Sequence, residues 1–231
     1  MAKGVAPVKM TGAERDKLAK EALAEIAAVR VRNTASLRAA RRKLSARLKQ
    51  AEPEDVKAVA LALARSGSKW VGYEIINLHR GAVKSLTLRE VEAFGQGMAS
   101  WVDTDTFGVL LSGAAWLEGC IGDADVKRWA RSKDLWWRRA ALVSTVVLNA
   151  KSRGGRGDAK RSLMIAGMLV SDREDMVVKA MSWALRSLVP WDAKAVRAFL
   201  EQHDAELAAR VKREVRNKLR TGLKNPKTNP P

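Results

Sequence analysis

Apolar residues recur along this chain at spacings of three and four almost without interruption, while alternating runs rich in Val, Ile and Thr are missing. A 3.6-residue period with one apolar stripe is the pattern of helices that bury a single face, so the chain is expected to be all-α. The pattern divides into helices at about residues 12–29, 34–49, 53–65, 68–79, 87–99, 101–118, 124–132, 134–149, 158–170, 174–188, 192–203 and 204–221. Local start signals support several of them. Thr11, Thr34 and Asp134 stand where a side-chain oxygen can accept from the free amides of a first turn. Pro53 falls in a first turn, where its missing N–H costs nothing, and Thr87 with Glu90 has the spacing of a reciprocal capping box.

A faint internal repeat overlies this pattern. Ser68-Lys69-Trp70, Ser100-Trp101-Val102, Asp134-Leu135-Trp136 and Asp175-Met176-Val177 open similar segments, with starts separated by 32, 34 and 41 residues. That is close to the period of two-helix solenoid repeats. Antiparallel helix pairs stacked side by side into a curved α-solenoid with a concave face are therefore predicted.

Charge changes the picture next. The chain has 231 residues, with 43 Lys+Arg against 25 Asp+Glu, a formal net charge of +18. Such a field attracts polyanions, and nucleic acid is the leading partner class. Between Arg30 and Lys49 there are eight basic and no acidic residues, among them Arg38, Arg41, Arg42 and Lys43. Further groups are Lys127 to Arg139, including Arg138; Lys151 to Arg161, including Arg153 and Arg156; and Arg210 to Lys227. Any one group could be plain solvated surface, but four together favour phosphate contacts lining one basic groove. The glycine-rich loop 152–157 resembles a phosphate nest but lacks Gly-Lys-Ser/Thr, so a nucleotide-binding loop is not expected.

The remaining composition excludes more than it offers. A single cysteine, Cys120, rules out an intramolecular disulfide and any multi-cysteine metal site, and fits a reducing compartment. His79 and His203 have no partner at ligand spacing, so no metal and no cofactor are expected. No apolar stretch approaches a membrane span and the first residues lack the apolar core of a signal peptide, so a cytoplasmic, nucleoid-associated protein is expected. Nucleophilic serine or cysteine motifs are missing as well.

What is left is carboxylate, aromatic and arginine chemistry. In a helix Trp101 and Asp105 lie one turn apart on one face, so an aromatic wall and a carboxylate can meet one ligand. A carboxylate among Thr104, Thr106 and Phe107 on an otherwise apolar helix is costly unless it is paired or working. A salt bridge to Arg139 is the plain alternative, just as core filling is for Trp101, Trp136 and Trp183. Trp70, Trp116, Trp129 and Trp191 are expected to serve packing alone.

The run Trp101-x-x-x-Asp105-x-Phe107, followed by Trp136-Trp137-Arg138-Arg139-Ala140-Ala141-Leu142 and Val178-Lys179-Ala180-Met181-Ser182-Trp183-Ala184-Leu185-Arg186, resembles the AlkD-type DNA alkylation repair family. These are HEAT-like-repeat alkylpurine DNA glycosylases, and the similarity spans about residues 30 to 220 in order and spacing. The resemblance implies a single HEAT-like-repeat domain over residues 11–222; the low-complexity ends at 1–10 and 223–231 are expected from their composition to be disordered. It implies excision of N3- and N7-alkylated purines, such as 3-methyladenine and 7-methylguanine, from duplex DNA without base flipping, as a step of base excision repair. By position, Asp105 would be the catalytic carboxylate, Trp101 and Trp183 would pack against the DNA backbone around the lesion, and Arg139 would bind a phosphate beside it. The protein is expected to act as a monomer. One departure is that residues 14–40 contain no aromatic residue, whereas family members often carry them in their first helices.

Two further readings belong to other classes. A non-catalytic helical-repeat protein could bind unusual DNA or RNA structures with the same scaffold. A protein-interaction scaffold would need an acidic partner to answer the charge.

Overall fold

The computed structural model describes residues 7–29 and 34–226, side chains 34–37 excepted. Among these residues every regular element is helical, apart from one isolated bridge between Val8 and Ala51. The chain forms two compact units, residues 1–96 and 97–231.

The first unit contains α1 (Gly12–Ala27), α2 (Thr34–Arg47), α3 (Pro53–Arg65), α4 (Lys69–Leu78), α5 (Arg80–Lys84) and α6 (Leu88–Gly95). Its helix starts follow the sequence signals. Thr11 and Glu14 form a reciprocal capping box at α1, as do Thr87 and Glu90 at α6, and Pro53 opens α3. Thr34 is the first residue of α2, and its side chain lies outside the described residues, as do Arg30 and Arg32 altogether. α3 packs against α1 and α4, and Gly72 allows the closest approach: a β-carbon there would lie 2.5 Å from the Ala60 carbonyl. The core is built from Val56, Val59, Leu63, Ile75, Ile76 and Tyr73, whose hydroxyl donates to the Phe94 carbonyl at 2.7 Å. The sequence pattern misses α5. His79 caps it by accepting from the Ala82 amide through Nδ1, and one turn of helix is too short to show a period.

The second unit contains α7 (Trp101–Phe107), a π-helical turn (Gly108–Ser112), α8 (Gly113–Leu117), α9 (Asp123–Ala130), α10 (Leu135–Leu148), α11 (Ala159–Met168), α12 (Asp175–Leu188), α13 (Ala193–Gln202) and α14 (Ala209–Thr221). They form two layers. α7 with α8, α10, α12 and α14 pack side by side in one, and α9, α11 and α13 in the other. Polar contacts between neighbours recur at nearly constant sequence separation: Ser112 with Ser144, Asp105 with Arg139, Arg138 with Asp172, Ser182 with Glu214 and Asp175 with Arg210 are each 32 to 35 residues apart. That separation matches the two shorter spacings of the internal repeat, 32 and 34 residues, as expected when each repeat touches only the next.

Two expectations change here, and a third region shows its geometry. The helix predicted over 101–118 is continuous but widened by the π-helical turn, and its glycines carry the reason. A β-carbon on Gly108 would lie 2.6 Å from Val143 Cγ1, and one on Gly113 would lie 2.5 Å from Val147 Cγ2 and 2.9 Å from the Ser144 carbonyl. The extra residue turns the small side of the helix onto α10, where Ser112 and Ser144 share a buried 2.7 Å hydrogen bond. The helix predicted over 204–221 begins only at Ala209, because residues 203–207 form a turn in which the Glu206 and Leu207 amides donate to the His203 carbonyl. The glycine-rich loop is no open phosphate nest. Its amides at Arg153, Gly154, Gly155 and Gly157 all donate to carbonyls of residues 148–151, and Gly157, at φ +82°, lies against Trp191.

The ends of the described chain are hydrogen-bonded. Val8 pairs with Gln50 and Glu52, the Met10 amide donates to Asp55, and Asn217 donates to the Lys224 carbonyl. Residues 1–6 and 227–231 lie outside the described residues.

Candidate active site

α7 is held at its start by Ser100, whose hydroxyl accepts from the Asp103 amide at 3.1 Å, and at its end by Phe107. Phe107 is fully buried against Trp129 and Trp137, with ring centroids 6.2 and 5.8 Å away. Anchored at both ends, and fitted to α10 through Gly108 and Gly113, α7 has one rotational setting. That setting directs Asp105 toward α10 and leaves Trp101, one turn earlier, 55% exposed.

α10 is capped by Asp134, which accepts from the Trp136 amide at 2.8 Å. Just over a turn further on, Arg139 is buried, and its guanidinium closes a two-point contact with Asp105: Nε donates to Oδ1 and Nη2 to Oδ2, both at 2.8 Å. Its Nη1 donates to the Met176 carbonyl in the first turn of α12. One side chain thus ties α7, α10 and α12 together at Asp105.

The Asp105 side chain retains 19% exposure. Burial pushes its carboxyl above the ordinary aspartate value, and the hydrogen bonds and positive charge of Arg139 offset only part of that rise. The bidentate contact uses two of the roughly four lone-pair positions on a carboxylate. One further position on each oxygen is left to a water or a developing cation.

The other expected site residues fall in different situations. Trp183 is half-buried on α12, seven residues beyond Met176 and so about 10 Å along the axis from that carbonyl. Trp136 is also half-buried, whereas Trp116 and Trp129 fill the core. Arg138, expected to contact phosphate, is fastened inside the protein: it donates to Asp172 at 2.7 Å and to the carbonyls of Ser132 and Lys133. Arg153 and Arg156 are exposed on the loop after α10. On α2, Arg38, Arg42 and Lys43 are exposed, while Arg41 is largely covered and lies 3.2 Å from Glu74. Sequence reasoning missed Asp172 and the Met176 carbonyl. The first could have been found from the repeat, since Arg138 and Asp172 are separated by the same 34 residues as Asp105 and Arg139.

Among the described residues no group of three or more His, Cys, Asp or Glu is placed to hold a metal ion, and no helix is long and apolar enough to cross a membrane. The features together define a basic, all-helical protein whose two-layered second unit presents a largely buried carboxylate beside an exposed tryptophan. The chain matches the family of DNA alkylation repair enzymes over residues 13–219 and belongs to it. Its role accordingly lies in the repair of alkylated DNA. No curated protein and no solved structure matches the chain.

Proposed function

We propose that this protein is a DNA glycosylase that hydrolyses the N-glycosidic bond of N3- and N7-alkylated purines in duplex DNA, with Asp105 as its catalytic carboxylate. The observation that carries the reading is the pairing of an accessible carboxylate edge with Trp101 one turn away, on a member of a DNA alkylation repair family. An N3- or N7-alkylated purine is cationic and leaves as a neutral base, taking the bonding electron pair with it. The sugar then carries positive charge at C1′, which a fixed carboxylate stabilises most strongly in a site that excludes bulk water. Water adds to that carbon and gives up a proton to the carboxylate or to solvent. Arg139 favours the ionised form of Asp105 against the effect of burial and orients it while leaving its outer lone pairs open.

Trp101 and Trp183 offer faces for the DNA backbone and the cationic lesion. An exposed tryptophan suits contact with DNA from outside the base stack, in keeping with excision without base flipping. Basic surface residues, including Arg38, Arg42, Lys43, Arg153 and Arg156, supply phosphate contacts. The recurrence of polar contacts at nearly one repeat length within the second unit supports HEAT-like helix pairing there. The reading is of a cytoplasmic, nucleoid-associated monomer that needs no metal or cofactor. Release of 7-methylguanine and 3-methyladenine from methylated duplex, by wild type and by Asp105→Asn, tests it.

One observation favours a second reading. Both Asp105 oxygens are engaged by Arg139, as in a purely structural ion pair, and a non-catalytic protein that binds unusual DNA or RNA structures would show the same contact. Such a protein would bind DNA with and without Asp105 and release no base.

A further inference from the structure

The last of the basic groups in the sequence has no part in the site around Asp105. α14 faces α12 through Val211, Glu214 and Val215; Glu214 accepts from Ser182 at 2.6 Å, and Val211 lines the packed seam with Val178 and Met181. At 100° per residue, Arg213, Arg216 and Arg220 point to the far side of the helix, away from α12, and Lys212 and Leu219 lie on its flank. There α14 and α13 enclose an open groove of about 850 Å³, with Leu200 and Leu219 in its lining.

Arg197, Lys212, Arg213, Arg216 and Arg220 surround this groove, against one carboxylate, Glu201. Neutralisation is partial. Lys212 and Arg216 share Asp204, at 3.3 and 2.7 Å, whereas Arg197, Arg213 and Arg220 have no carboxylate partner among the described residues. Three unpaired guanidiniums around one groove repel one another, and an arrangement of that kind is relieved by a bound polyanion. Arg213, Arg216 and Arg220 follow one another at three- and four-residue spacing, about 4.5 and 6 Å along the helix axis. A duplex offers one phosphate per 3.4 Å of axis on each strand, so a row spanning about 10.5 Å runs past about three phosphate steps of one strand. Guanidiniums also present paired N–H groups that match phosphate oxygens.

We infer that the α13–α14 groove is a second binding surface for the phosphodiester backbone, on the side of α14 turned away from α12, which holds DNA outside the segment read at Asp105. It requires no chemistry at Asp105 and stands whether or not the protein excises bases. A surface of this kind lengthens the DNA footprint, or bridges to a second duplex, and gives a searching protein a hold on undamaged DNA.

The test measures affinity for an undamaged 40-base-pair duplex as a function of salt. It compares wild type with Arg197→Ser/Arg213→Ser/Arg220→Ser, and with a control that removes three exposed charges elsewhere, Lys17→Ser/Lys20→Ser/Arg65→Ser. Each phosphate contact contributes about −0.9 to the slope of log K against log salt, so the groove variant should be shallower by about 2 to 3 and the control by less than 1. Thermal melting verifies that both fold, and Arg220→Gln alone, with an expected change of about 0.9, serves if the triple variant melts early. An unchanged slope in the groove variants would overturn the proposal. So would an equal change in the control, which would mark a general effect of net charge.

Discussion

Arg139 grips both carboxylate oxygens of Asp105 at 2.8 Å, and the two residues stand 34 positions apart, one internal repeat of the chain. Catalytic proposal and structural pair meet in this contact. The guanidinium is covered, the carboxylate is partly open, and the Met176 carbonyl fixes the guanidinium from the third helix.

Removing the guanidinium should cost stability in a pH-dependent way. Arg139→Leu leaves Asp105 largely buried without its counter-charge, a change on the order of 2–4 kcal/mol at neutral pH. The deficit should shrink on acidification, because the orphaned carboxyl can then take up a proton. Urea unfolding at pH 7 and pH 4.5 measures both values, and an equal loss at both would refute the electrostatic account.

The raised pKa of Asp105 has its own signature. Burial favours the protonated form in the folded state, so this group's contribution to stability falls as pH rises from the ordinary aspartate range through the raised value. Catalysis needs the ionised form, and activity should therefore appear over that same rise. Base release, corrected for spontaneous loss, should show an acid limb above the range of an ordinary aspartate. A limb within or below that range would contradict the burial argument.

Trp101 separates fold from function. It is 55% exposed, so Trp101→Ala should change unfolding free energy by no more than about 0.5 kcal/mol. Loss of an aromatic face beside a cationic lesion should cost about 0.5–2 kcal/mol in the reaction, a two- to thirty-fold drop in single-turnover base release. A variant that melts early with its rate per folded molecule intact would place Trp101 in the scaffold instead.

The glycines under the π-helical turn hold the register. Gly108→Ala pushes a methyl group into Val143 Cγ1, at 2.6 Å, and should destabilise by about 1–3 kcal/mol. Because Val143 Cβ also lies 2.8 Å away, Val143→Gly, which removes both atoms, should recover part of the loss in the same protein. A double-mutant cycle should show coupling above about 0.5 kcal/mol, and strict additivity would mean that the two residues do not share that space.

Helix positions were legible where the physics is local. Thr11, Pro53, Thr87 and Asp134 announced their helix starts because capping depends on a few adjacent residues. Trp101 and Asp105 were legible as a shared face for the same reason, and the ion pair to Arg139 was visible as the plain alternative for a carboxylate on an apolar helix. The π-helical turn was not, since it answers to Val143, Val147 and Ser144 on another helix. Nor was the commitment of Arg138 to Asp172, because a basic run reads alike whether its members face solvent or a neighbouring repeat. The break before Ala209 escaped because residues 203–207 carry neither glycine nor proline to mark it.

The most direct measurement is single-turnover release of 7-methylguanine and 3-methyladenine from methylated duplex DNA by wild type and Asp105→Asn, with salt-dependent binding of both proteins measured in parallel. Asparagine keeps one oxygen for Arg139 and removes the charge. The account predicts release by wild type well above background, loss of about 10²-fold or more in the variant, and near-equal DNA affinity. Equal release by both proteins, or none by a wild type that binds DNA tightly, would contradict it.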